Sequence, residues 1–154
     1  MIQPCKNYTD RGNMFLEMKN ILLKVKKSRT KQFDLGSWEK EPTKHNCNTC
    51  CCIAGYAAKS PIFNKRGFHL TKCNFSTFKT ISFNGHTGYE ALSQFFNFNT
   101  EKVNSNHLIS YLFRPCWYNH LNDIDEAINR LTKVSNACFH KNPTKEINKI
   151  INNI

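Results

Sequence analysis

The stretch Lys44-His45-Asn46-Cys47-Asn48-Thr49-Cys50-Cys51-Cys52-Ile53-Ala54-Gly55-Tyr56-Ala57-Ala58 decides how the rest of the chain is read. It carries four of the eight cysteines and then turns into small and apolar residues at helical spacing. Cys52, Ile53, Tyr56 and Ala57 share one helical face, and Asn48 or Thr49 is suited to cap its start. Gly55 inside such a helix costs about 1 kcal/mol relative to Ala, which points to close approach of a neighbouring backbone. The helix is expected to end near Ser60, just before Pro61. Its apolar face needs partners, and the segments on either side supply them.

Upstream, Met14, Met18, Ile21, Leu22 and Val25 form the stripe of an amphipathic helix over residues 13–27, with Asp10 or Asn13 as its cap. Lys24, Lys26, Lys27, Arg29 and Lys31 crowd its end, where cations meet the negative pole of the helix dipole. Residues 32–46 read as a connector pinned by Phe33, Leu35 and Trp38. Downstream, the alternation at Phe68/Leu70 and Ile81/Phe83 suggests two short strands or extended loop arms, with turns at Gly67 and Asn84-Gly85.

Thr87-Gly88-Tyr89-Glu90 matches a capping box opening a helix to Phe96. A further helix bearing Leu108, Ile109, Leu112 and Phe113 stops at Pro115. Asn122-Asp123 with Asp125 and Glu126 opens another, striped by Ile124, Ala127, Ile128, Leu131 and Val134. The tail restarts at Pro143-Thr144 with Ile147, Ile150, Ile151 and Ile154 on one face. The expected architecture is mainly α, with α+β as the alternative class. It is a compact bundle of about five helices with a small extended or β-hairpin segment, forming a single domain over residues 1–140 with a short C-terminal helix or tail over 141–154.

At 154 residues the chain is long enough to bury a core without disulfides. Lys+Arg of 22 against Asp+Glu of 11 gives a net charge of +11, which favours an acidic partner such as nucleic acid, a nucleotide or an acidic host protein. No run of about 18 apolar residues exists, so no membrane span is expected, and the N-terminus lacks the apolar core of a signal peptide. These features place the protein in a reducing cytoplasm, not secreted, with its cysteines as thiols or metal ligands. Heavy use of Asn, Lys, Ile and Phe, which AT-rich codons specify, points to a low-GC bacterium or its virus.

The order of landmarks resembles that of a group of small, uncharacterised tailed-phage and prophage proteins, whose signature runs Cys-Gly-Thr-x-x-Cys-x-Ala-Gly-Trp-Ala. Its counterparts are Cys47, Thr49, Cys52, Ala54, Gly55 and Ala57, followed by Leu92 to Phe98, Leu112-Phe113, Trp117, and Ala127 to Leu131. Asn48 stands in place of the Gly and Tyr56 in place of the Trp, while Cys50 and Cys51 occupy positions where small or apolar residues are usual. The resemblance covers residues 35 to 135. It implies a phage accessory protein. The expected place is the bacterial host cytoplasm, and the expected setting counter-defence or host takeover.

Several chemistries compete for the Cys-rich turn. Free amides near Asn48 to Cys50, with Lys44, His45 and Thr49, suit an anion or nucleotide phosphate, and Arg114, Trp117 and Tyr118 offer a guanidinium and stacking faces. Lys24, Lys26, Lys27 and Arg29 are the candidates for contact with a basic-seeking partner. His45, Cys47 and Cys50, completed by Cys138 or His140, or by Cys73 or Cys116, have the ligand chemistry of a zinc site. A Cys47 or Cys50 nucleophile with His45, His86, His107 or His120 as base would make a cysteine enzyme, although no catalytic signature surrounds them. The plainest reading makes Cys47, Cys51 and Cys52 small buried hydrophobes. No catalytic residue and no cofactor is assigned. The expected function is binding, with a cysteine- or zinc-centred enzyme as the alternative and a virion-associated structural protein as a further one.

Overall fold

The computed structural model describes residues 1–29, 31–36, 49–72, 79–98, 102–120 and 122–154. Helix α1, Tyr8–Lys27, starts earlier than its apolar stripe implied, because Asn7 accepts the Asp10 N–H at 2.9 Å and Asp10 in turn accepts the Lys6 N–H at 3.0 Å. Strand β1, Lys31–Phe33, lies parallel to β2, Thr49–Cys51, in the register Lys31↔Thr49 and Phe33↔Cys51. Two short helices follow, α2 Ile53–Ala57 and α3 Pro61–Lys65.

An antiparallel sheet comes next, made of β3 His69–Lys72, β4 Lys79–Phe83 and β5 His86–Thr87. The chain continues with α4 Gly88–Phe96, α5 Ser105–Phe113, a 3-10 turn at Pro115–Trp117, α6 Ile124–Cys138 and α7 Pro143–Asn152. The mainly α expectation with a small β segment is borne out. Among the described residues no helix is long and apolar enough to cross a membrane.

The expected hairpin forms as read: Leu70 pairs with Ile81, and Asn84 and Gly85, both at positive φ, make the tight turn into β5. The opening of the Cys-rich stretch does not. Thr49 to Cys51 are extended on β1, and Cys52, not Asn48 or Thr49, is the N-cap, its Sγ accepting the Gly55 N–H at 3.4 Å. Thr and Cys are indifferent helix formers, so a strand partner in β1 outcompetes the helix until Ile53. Downstream, Pro61 opens α3 at its first position, where the missing N–H costs nothing. At Thr87 the N-cap is correct but its side chain makes no capping bond; Glu90 faces His86 Nδ1 instead, at 2.8 Å.

The core centres on α4. Phe95 is ringed by Phe63 at 5.5 Å, Phe68 at 5.0 Å and Phe83 at 5.3 Å, and Phe96 stacks on Phe15 at 4.2 Å. Fully burying each such ring is worth about 1.5–3 kcal/mol. Helix α1 lies closely on α6: a Cβ on Gly12 would come 3.0 Å from Cys138 Cβ, and Ser135 Oγ donates to the Gly12 carbonyl at 2.9 Å. Ile147 and Ile151 of α7 are buried, so the C-terminal segment is a docked helix of the same core.

Candidate binding surface

The C-terminal end of α1 carries the strongest charge feature. Val25 and Leu22 face the core, which at helical spacing turns Lys24, Lys26 and Lys27 to solvent; Arg29 and Lys31 continue the exposed run into β1. Lys26 Nζ reaches Asp125 at 2.6 Å, an exposed pair of the kind worth under about 1 kcal/mol. Lys24, Lys27 and Arg29 make no ion pair among the described residues. All four sequence-derived basic candidates are therefore on one accessible end of the molecule.

Beside that run lies a cleft of about 450 Å³ between α1, β1 and the α2–α3 connection. Val25 and Tyr56 form its floor, Ile21 and Ile62 its walls, and Lys24, Lys31 and Lys59 its rim together with Glu17. Tyr56 is held in place by donating its hydroxyl to the Gln32 carbonyl of β1. Lys31, Lys59, Glu17 and Ile62 were not singled out as binding residues from sequence. Lys31 was visible as the end of the basic run, but the approach of residues 56–62 is a consequence of tertiary packing.

The residues expected around the Cys-rich turn fare differently. Lys44, His45 and Cys47 lie outside the described residues, as do Trp38 and Cys73, and of Thr49 and Cys50 only the backbone is described. The expected row of free helix amides near Asn48 to Cys50 is replaced, over Thr49 and Cys50, by strand pairing with β1. Arg114 is exposed, with its guanidinium 4.9 Å over the Tyr89 ring at a cleft of about 490 Å³ between α4 and α5. Burial pushes the Tyr89 hydroxyl up, Cys52 and Cys116 add to this, and Arg114 opposes it.

Trp117 does not join Arg114: it is half-buried and edge-on to His107 at 4.9 Å. Tyr118 is unavailable as a stacking face. It is buried, donates to the Leu112 carbonyl at 2.7 Å, and has Arg130 3.9 Å over its ring. Of the three residues expected to form one nucleotide-stacking group, Arg114 alone is exposed: Trp117 packs on His107 and Tyr118 covers the end of α5.

Among the described residues no three His, Cys, Asp or Glu side chains converge on a metal position. Cys138 points into the core while His140 is exposed, its Nδ1 accepting the Asn142 N–H at 3.2 Å. Burial pushes the thiols of Cys5, Cys52 and Cys138 up to about 12, which removes them as thiolate nucleophiles near neutral pH. For Cys52 this agrees with the plain reading of a small buried hydrophobe.

Fold and surface together define a mainly α protein with a small antiparallel sheet and a basic, apolar-floored face on α1. Compared with family models, curated proteins and solved structures, the chain matches none.

Proposed function

We propose that the chain is a non-enzymatic binding protein, a phage accessory factor of the kind its sequence landmarks imply, which holds an acidic partner against the C-terminal end of α1. The observation that carries this reading is the exposed set Lys24, Lys27 and Arg29, which makes no ion pair among the described residues. Clustered like charges repel, so the arrangement costs stability unless a polyanion settles on it, and its field steers such partners.

The test separates this patch from net charge. Reversing Lys24, Lys26, Lys27 and Arg29 to Glu is compared with reversing the exposed Lys65, Lys72, Lys141 and Lys145, so that both variants lose the same charge. On a heparin column under a salt gradient the first variant should elute much earlier than the second. Equal shifts, or a larger shift for the second, would show that bulk charge and not this face binds.

A further inference from the structure

We infer that the cleft beside α1 is a docking groove for an acidic amphipathic protein segment, one that places an aliphatic side chain between Ile21 and Ile62 and its carboxylates on Lys24 and Lys31. This rests on the anionic-partner reading and specifies the partner's class. Three observations carry it.

The first is the chemistry of the walls. At about 450 Å³ the cleft has room for a few side chains, and it is apolar where it is deep, with Val25 and the Tyr56 ring on the floor and Ile62 44% exposed beside it. Ile21 and Ile62 leave apolar surface in water beside the groove, which an aliphatic side chain of a partner would cover. A ligand made only of phosphates would leave them uncovered.

The second is that no open aromatic face lines the cleft among the described residues. Single-stranded nucleic acid is held by bases laid on open aromatic faces. Among the described residues the aromatic that lines this cleft is Tyr56, which is only 4% exposed and has its hydroxyl already given to Gln32.

The third is charge complementarity. Lys24 and Lys31 are exposed on the rim and make no side-chain ion pair among the described residues, so an incoming carboxylate displaces no partner from them. Glu17 is the opposing charge and gives the groove a polarity, since an acidic segment must keep its carboxylates away from that residue. An amphipathic helix with anchors at i, i+3 and i+4 satisfies all three conditions.

The probe is a fluorescently labelled peptide of Glu and Leu at that spacing, read by anisotropy against a labelled single-stranded oligonucleotide. The peptide should bind. Lys24→Glu with Lys31→Glu should weaken it about tenfold or more, and Glu17→Gln should tighten it. Ile62→Asn, at an exposed position where a thermal melt should be unchanged, should weaken the peptide about threefold or more while leaving its salt dependence intact. If the oligonucleotide binds and the peptide does not, or if Ile62→Asn leaves the peptide unaffected, the groove proposal is overturned while the anionic-partner reading stands. If neither probe binds, both fall.

Discussion

Arg11, Arg66 and Arg130 show how part of the basic composition is spent inside the molecule. Arg11 is 1% exposed within the apolar stripe of α1, its guanidinium 5.1 Å from the Tyr8 ring centre and 4.6 Å from that of Phe98. It donates from Nε to the Phe96 carbonyl at 2.7 Å and from a terminal nitrogen to that of Asn97, closing the C-terminus of α4 where Asn97 turns left-handed. Arg130 does the same for α5, donating to Tyr111 at 2.8 Å and to Trp117 at 2.6 Å, with Glu126 on its Nε at 2.8 Å. A buried carbonyl stripped of its donor costs about 1–3 kcal/mol. Arg11→Met, which keeps most of the volume, should therefore destabilise by about 2–4 kcal/mol in denaturant melts. A change within about 0.5 kcal/mol would refute the capping role. The sequence did hold a sign of this, since Arg11 falls at i−3 and i−7 from Met14 and Met18; a cation on that stripe needs acceptors, but the stripe does not say which.

At the scale of elements, Arg66 and Asp10 join the end of α3 to the start of α1. Their side chains meet in a two-pronged pair at 2.8 and 2.7 Å, and Arg66 also donates to the carbonyls of Gln3 at 3.1 Å and Pro4 at 3.0 Å. The Arg66 guanidinium, followed by the Lys6 N–H, holds the Asp10 carboxyl below the usual range against the opposing effect of burial. A carboxylate lowered on folding adds stability that is present above its unfolded value near pH 4 and lost as pH falls through the native one. Asp10→Asn should cost about 1–2 kcal/mol at neutral pH. The gap to the native protein should narrow below about pH 4 in urea midpoints read against pH; a constant or widening gap would contradict the pairing.

Elements with a strong period were legible in advance: α6 shows the expected stripe, and Asp123 is its cap, accepting the Glu126 N–H at 2.9 Å. The switch from strand to helix at Cys52 was not, because the β1 partner that decides it lies far back in the chain and short parallel pairing leaves no local period. The same holds for Tyr118, whose aromatic character promised a platform until Arg130 was placed on its face.

For the whole molecule, two uses of positive charge separate. Arginines whose planar forks match several carbonyls are inside or half-buried; the lysine-rich end of α1 stays in water beside an aliphatic groove. The basic candidates could be named from composition because a helix end crowded with cations is visible as a run. The groove could not, since Ile21, Tyr56 and Ile62 meet only after α1, α2 and α3 pack. An account in which this face is the working surface makes a localised demand on the protein in solution. Amide chemical shifts recorded while the Glu-Leu peptide is titrated should move mainly at residues 17–31 and 56–62. Shifts that gather instead around Arg114 and α5, or that spread evenly over every surface lysine, would contradict it.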